Sequence, residues 1–243
     1  MCEHMKIFGF HLDGGFAQYI SIPAQALDAG CAIELPPHLS YEWAALAEPL
    51  ACCINAQDAT RVGAEDIVAI IGAGPVGCLN AMLAKGRGAD RIILIDTDPS
   101  RLEMAEGVMD VECVNASSKD AIGKVRSLSP SGVDVAIIAC RDASATHDAM
   151  RMVGKNGRVC LFSGAPPEHM PLCIDTNELH YTQKQLIGAY GCTSVQNQRA
   201  VELMASGKVD VGWLITHRIS LDDVEEGIML AENRESMKVV VEY

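Results

Sequence analysis

The 243-residue sequence has no apolar run long enough to cross a bilayer. Its uninterrupted stretches, such as Ile67 to Ile71 and Ile92 to Ile95, are strand-length, against the roughly eighteen residues a membrane helix needs. No membrane partner is expected. The opening Met1-Cys2-Glu3-His4-Met5-Lys6 lacks a basic region followed by an apolar core and a small-residue cleavage site, so no secretory signal is read and a cytoplasmic location is expected. There is no C-x-x-C pair and no H-E-x-x-H, which leaves a self-contained zinc ribbon and a zincin protease unsupported. Positive charge is short: 19 Lys and Arg stand against 32 Asp and Glu, a net charge of −13. Phosphate contacts need a basic face, so no nucleic-acid partner is expected. Internal repeats and low-complexity tracts are also missing. The ten cysteines do not read as a disulfide framework, because most sit inside apolar runs, as Cys140 and Cys160 do, where the thiol behaves as a small hydrophobe. Small molecules or copies of the chain itself are the expected partners.

What is present is enough apolar side chain, 49% of residues, to bury a sizeable core. The first fifty residues read as short strands and turns. Asp13-Gly14-Gly15 predicts a turn, and Phe16 to Ile22 alternates before Pro23. Pro36-Pro37 interrupts the chain, Ser40 is placed to cap a helix from Tyr41 to Ala47 ahead of Pro49, and Leu50 to Thr60 reads as helical or turn-rich. From residue 67 the pattern changes. Six buried runs, 67–71, 92–95, 111–114, 133–139, 158–162 and 185–190, alternate with stretches of helical spacing at 77–85, 99–106, 119–127 and 143–153. Asp98-Pro99 predicts a helix start and Gly154 a helix stop. Strict alternation of strand and helix predicts an α/β fold with a doubly wound parallel sheet covered on both faces. Beyond it the spacing predicts helices over 196–205 and 220–230, the second with Asp223 in the capping-box position, and a final strand at 238–241.

The sharpest motif is Gly72-Ala73-Gly74-Pro75-Val76-Gly77, a G-x-G-x-x-G at the junction of a buried strand and a helix. Its first glycine permits a tight turn, the second lets backbone approach a pyrophosphate, and the third lets helix pack on strand. An isolated match has little specificity, but Asp96 ends the next strand 19 residues after Gly77, where a carboxylate accepts hydrogen bonds from both ribose hydroxyls. That charge would repel a 2′-phosphate, so NAD is expected rather than NADP, with Arg101 flanking the adenine side. A plain turn acid is the simpler reading of Asp96, and a methyltransferase shares both the glycine turn and the acid. The strand and glycine context weighs against the first, and the segments at the edges of the sheet decide against the second.

Those segments are Asp13-Gly14-Gly15-Phe16-Ala17-Gln18-Tyr19 with Ile22-Pro23-Ala24, Leu35-Pro36, and Ala44-Ala45-Leu46-Ala47-Glu48-Pro49-Leu50-Ala51. With Gly157-Arg158-Val159, Asn177 to Tyr181, Ala205-Ser206-Gly207-Lys208 and Ile215-Thr216-His217-Arg218, they make the chain resemble the zinc-type medium-chain dehydrogenases, in the branch of sorbitol, threonine and butanediol dehydrogenases. The resemblance implies a Rossmann sheet carrying NAD over 51–190, and an incomplete β-rich GroES-like catalytic domain made from 1–50 and the C-terminal return 191–243. It implies an oxidoreductase moving hydride between a secondary alcohol, a polyol or sugar alcohol, and NAD, with a zinc ion polarising the hydroxyl. By the same resemblance Gly72, Gly74, Pro75, Val76, Gly77, Asp96 and Arg101 contact the cofactor. Cys140 and Arg141, Ser163 and Gly164, and Ala189 and Tyr190 follow the fourth, fifth and sixth strands toward the nicotinamide. Glu48 matches a carboxylate beside the catalytic zinc, and Cys2 the last cysteine of a structural zinc lobe. Pairing of sixth-strand edges implies a homodimer or homotetramer.

The chain departs from this pattern in one respect. The family's catalytic cysteine, its Gly-His-Glu ligands and the other lobe cysteines lie upstream of the position matching Met1. Zinc is therefore expected for the family but not for Glu48 on its own, since a catalytic zinc takes three protein ligands and an open position. His4 and His11 have no ligand spacing with Glu48, and His217 falls in a landmark that holds no metal. The competing expectation is a catalytically inactive NAD-binding or oligomerising protein that kept the fold and lost the metal.

Overall fold

The computed structural model describes residues 5–118, 120–142, 144–164 and 173–243. The chain forms two compact units, one of Leu46–Asp210 and one of Met1–Ala45 with Val211–Tyr243. No helix among the described residues is long and apolar enough to cross a membrane. The fold class is α/β, a doubly wound parallel Rossmann sheet with a smaller unit that carries a second sheet.

Numbered through the whole chain, the short helices α1 (Ala24–Asp28) and α2 (Tyr41–Ala44) precede the larger unit, which opens with α3 (Ala47–Ala59). Its six strands are β1 (Ile67–Ile71), β2 (Arg91–Asp96), β3 (Glu112–Asn115), β4 (Val133–Ile138), β5 (Val153–Leu161) and β6 (Gln185–Gly188). They lie in the order β3-β2-β1-β4-β5-β6, every pair parallel. The crossovers are α4 (Pro75–Gly86), α5 (Pro99–Glu106), α6 (Ala121–Leu128), α7 (Ser144–Met152) and α8 (Thr176–Thr182). The chain winds one way from β1 to β3 and the other from β4 to β6, so the order reverses between β1 and β4, where such sheets open a crevice at their carboxyl ends.

The strands form because their apolar runs are covered on both faces. Ile70, Leu94 and Ile137 are wholly buried, each contributing about 1.5–3 kcal/mol by leaving water. Arg158, in β5, ties the entry to β1 in place: its guanidinium donates to the carbonyls of Thr60 and Arg61, both at 2.9 Å, and to the Asp66 carboxylate at 2.5 Å. The last helix of this unit, α9 (Ser194–Ala205), starts at a reciprocal capping box of Thr193 and Gln196 and packs on α3. That packing explains why the unit runs to Asp210, where the sequence places a boundary at 190.

Gly154, expected to stop a helix, lies inside β5, and α7 ends at Met152 instead. Val153 pairs with Val133, and that ladder outweighs the local glycine signal.

In the smaller unit β7 (Ile215–Ser220) and β8 (Lys238–Glu242) pair in parallel, joined by α10 (Val224–Glu232). Gly227 lets α10 sit directly on Ile219 and Val239 of those strands. Asp223 does not close a capping box: its carboxylate accepts from the Ser220 hydroxyl at 2.6 Å and makes no bond to the helix backbone. Ser40 caps α2 as expected, accepting from the Trp43 N–H at 3.3 Å. The alternating segment 16–22 forms no ladder, and Phe16 and Tyr19 are exposed at 63% and 91%. An alternating strand is stable only against a neighbour that takes its hydrogen bonds and covers one face, and none of the described residues supplies one.

Candidate functional site

The carboxyl edge of the six-stranded sheet carries most of the residues singled out by sequence. The strands continue to exchange backbone bonds just past their ends. The Gly72 N–H donates to Ile95 O at 2.7 Å, Ala139 to Ile71 O at 2.8 Å, Ser163 to Ile138 O at 3.1 Å, and Ala189 to Leu161 O at 3.1 Å. This register draws Gly72, Asp96, Cys140, Ser163 and Ala189 to one edge.

The glycine turn is built as its sequence requires. Gly72 has φ +113°, and a Cβ there would stand 2.8 Å from Ala139 O and 3.3 Å from the Cβ of Cys140, so β1 and β4 can close only around a glycine. A Cβ on Gly77 would overlap the carbonyl of Gly72, so α4 can start this close to β1 only without one. Gly74 is the N-cap of α4 and Pro75 its first residue, and no side chain caps that end. A Cβ on Gly74 would meet only the Arg101 guanidinium, at 3.4 Å. An uncapped helix N-terminus beside a half-buried guanidinium is a positive environment suited to a phosphate group.

Asp96 folds back onto this turn. Its Oδ2 accepts from the Ala73 N–H at 2.6 Å and its Oδ1 from the Asp98 N–H at 2.9 Å. The Thr97 hydroxyl also reaches Oδ1, at a long 3.5 Å. Of about four acceptor positions one is therefore free and a second is held only by this long contact, which a ligand hydroxyl can displace. Asp98 caps α5 through the Ser100 N–H at 2.9 Å and hydroxyl at 2.7 Å. The Ser100 hydroxyl, helped by backbone N–H groups and Arg101, holds the Asp98 carboxyl below its ordinary range. Cys140 is half-buried beside Gly72, and burial raises its thiol. Arg141, Gly164 and Tyr190 lie at the same edge with exposed side chains or open surroundings, and no bond from them to the turn is present among the described residues. Cys2 lies outside the described residues.

Glu48 stands elsewhere in this unit, in the first turn of α3. Cys52, one turn on, donates its thiol hydrogen to Glu48 Oε1 at 3.2 Å. Cys192, after β6, completes a group whose carboxylate oxygen and two sulfurs all lie within 4.8 Å of one another. The loop bearing Cys192 is fastened to α3: Asn55 Nδ2 donates to Gly191 O at 3.0 Å and Tyr190 O at 3.4 Å, and its Oδ1 accepts from Gln196 at 3.1 Å. The thiols influence each other. The single Cys52 thiol hydrogen can turn to Glu48 or to Cys192; the bond it makes to Cys192 lowers that thiol, while the same bond, burial and the Glu48 charge push Cys52 up. By contrast, burial alone pushes Cys160 up to about 12, as expected of a thiol serving only as core.

The sequence singled out Glu48 but not Cys52, Asn55 or Cys192, which the structure gathers around it. The i, i+4 spacing of Glu48 and Cys52 was the one available signal, since it puts both on one helix face. Nothing local indicates Cys192.

A family model described as zinc-binding dehydrogenase matches residues 75–206. An L-threonine 3-dehydrogenase of Chelativorans sp. (strain BNC1) is 29% identical over 244 residues, 100% of this chain and 68% of that protein. A sorbitol dehydrogenase of Bacillus subtilis (strain 168) is 30% identical over 235 residues, 95% of this chain and 64% of that one. Among solved structures, a zinc-binding dehydrogenase from Sinorhizobium meliloti 1021 bound to NADP superposes with a TM-score of 0.87 at 30% identity, covering 99% of this chain and 69% of that one.

Proposed function

Because the chain belongs to the zinc-binding dehydrogenase family, we propose that it binds NAD at the glycine turn and serves an oxidoreductase acting on a secondary alcohol, a polyol or sugar alcohol. The observation that carries this reading is the Asp96 carboxylate folded against Ala73 with acceptor capacity to spare. The bare Gly74 backbone, the α4 N-terminus and Arg101 fit a pyrophosphate, and Asp96 fits the two ribose hydroxyls. A 2′-phosphate would bring its charge against Asp96, which favours NAD over NADP even though one relative was solved with NADP. Cys140, Ser163 and Ala189 follow the ends of neighbouring strands, which supports them as the residues that would wall the nicotinamide.

The chemistry NAD supplies when bound is hydride acceptance. With NAD bound, the alcohol carbon would pass its hydride to the cofactor and the hydroxyl its proton to water, leaving a carbonyl compound. The chain's own residues hold the dinucleotide, and their backbone groups fix its register at the sheet edge. The chemistry zinc supplies when bound is polarisation of the hydroxyl, toward which Glu48 is the residue that family resemblance carries over. Similarity to a threonine and a sorbitol dehydrogenase supports an alcohol substrate. The outer edge of β6, last in the sheet order, is proposed to pair with a second copy into a dimer or tetramer.

Isothermal titration of the whole chain with NAD and NADP tests this. NAD should bind at one per chain, with NADP at least about tenfold weaker, a difference of roughly 1.4 kcal/mol. Asp96→Asn should erase that preference and weaken NAD about tenfold, the scale of a lost charged hydrogen bond. Binding of neither dinucleotide, or tighter binding of NADP, would overturn the assignment.

A further inference from the structure

We propose that Cys52, Cys192 and Glu48 form a three-ligand centre for a thiophilic divalent cation of the zinc class, assembled wholly from residues of this chain. The donor set suits such an ion: two sulfurs and one carboxylate oxygen. Bond lengths of about 2.3 Å to sulfur and 2.0–2.2 Å to oxygen put tetrahedral ligand atoms roughly 3.5–3.8 Å apart. The Cys52 to Glu48 separation of 3.2 Å and the 4.8 Å limit on the whole group bracket that spacing, so small side-chain adjustments close it on an ion.

The geometry is held by the fold. Glu48 and Cys52 share one face of α3 across a single helical turn. Cys192 arrives on the loop that follows β6 and turns at Gly191, with φ +66°, and that loop is pinned by Asn55 from the next turn of the same helix. Asn197 Nδ2 donates to Cys192 Sγ at 3.7 Å and further restrains it. A simple disulfide reading leaves Glu48 without a part and needs an oxidant. A metal centre uses all three groups. Three ligands, with Glu48 exposed, leave a fourth position for water or a substrate hydroxyl, the arrangement of a catalytic rather than a closed structural site. This centre differs from the cysteine and histidine ligand set that family resemblance implies. It does not rest on dinucleotide binding.

The test is titration of the whole, chelator-stripped and reduced protein with Co(II), followed by displacement with Zn(II). One equivalent per chain should give thiolate-to-cobalt charge transfer and the visible bands of a four-coordinate ion. Cys52→Ser and Cys192→Ser should each remove most of the charge transfer. Each should weaken binding by more than the roughly 10–100-fold that loss of an outer-shell partner costs. Glu48→Gln should weaken binding while keeping the sulfur signal. Cys31→Ser and Cys173→Ser, at exposed cysteines elsewhere, should change nothing. Circular dichroism and NAD titration of each variant separate lost metal from lost fold. Absence of charge transfer with both thiols free, or a signal that survives in both serine variants, would overturn the centre, whether or not NAD binds.

Discussion

The larger unit and the smaller one obey the same rules with different results. In Leu46–Asp210 each apolar run meets a parallel neighbour and a covering helix, and Ile70, Leu94 and Ile137 end wholly buried. In the smaller unit the alternation from Phe16 to Ile22 is as regular, yet no ladder forms and the aromatic rings face outward. Among the described residues only β7 and β8, which have each other and α10, hold a sheet there. Periodicity says which face would be buried, and a neighbour decides whether it is.

The strongest test of that contrast is glycine replacement. In the larger unit Gly77→Ala sets a methyl against the Gly72 carbonyl, backbone against backbone, with no flexible side chain to yield. The expected loss exceeds about 4 kcal/mol, at the exceptional end for single substitutions, and NAD binding should vanish with it. Gly15→Ala in the smaller unit meets nothing within 4 Å and should shift a urea midpoint by less than about 0.5 kcal/mol equivalent. Equal effects at the two positions would break the comparison.

Core truncation sharpens it. Leu94→Ala in β2 opens a cavity among fully buried neighbours and should cost about 2–5 kcal/mol in denaturant unfolding. Tyr19→Ser removes a ring that is 91% exposed and should cost less than about 0.5 kcal/mol. A large loss at Tyr19 would mean that the exposed face is covered in solution.

The same contrast explains how much was legible in advance. All six strands of the larger sheet and the four helices expected between them could be read from local runs, and the 99–106 helix has its expected bounds. Parallel pairing is reachable from alternation alone, since each crossover fixes the next strand. The glycine turn and Asp96 were legible for the same reason: both lie within one β-α-β unit. The thiol pair was not. Cys192 reaches Cys52 only because β6 ends the sheet beside α3, and a contact across so many residues leaves no trace in either local sequence. Asn55 was missed likewise, its partners being the Tyr190 and Gly191 carbonyls. The failure at 16–22 runs the other way: a clear local signal lacked the long-range partner it presupposes.

Ion pairs extend the comparison at smaller scale. Arg158 and Asp66 in the larger unit are 14% and 15% exposed, and the guanidinium also holds two carbonyls at the entry to β1. Asp66→Asn should therefore cost about 1–3 kcal/mol in urea unfolding, as expected for a mostly buried charge deprived of its partner. A loss below that range would place the pair with surface bridges.

In the smaller unit Arg218 donates to Glu42 Oε2 through Nη2 at 2.7 Å and Nε at 3.0 Å, linking β7 to α2, but both groups are open to water. Arg218, by hydrogen bond first and charge second, holds the Glu42 carboxyl below its ordinary 4.5. A carboxyl with a depressed folded-state pKa contributes stability above its unfolded pKa and loses it as pH falls through the folded one. The link should thus be intact at neutral pH and loosen only in acid, below about 4.5. Solvent screening makes its stability effect the smallest of the set. A carboxyl-detected NMR titration should find Glu42 shifted low in the native chain and back toward its ordinary value in Arg218→Gln, with neutral-pH unfolding nearly unchanged. If that exposed pair instead matched Asp66 and Arg158 in its cost, burial would not be what separates the two units.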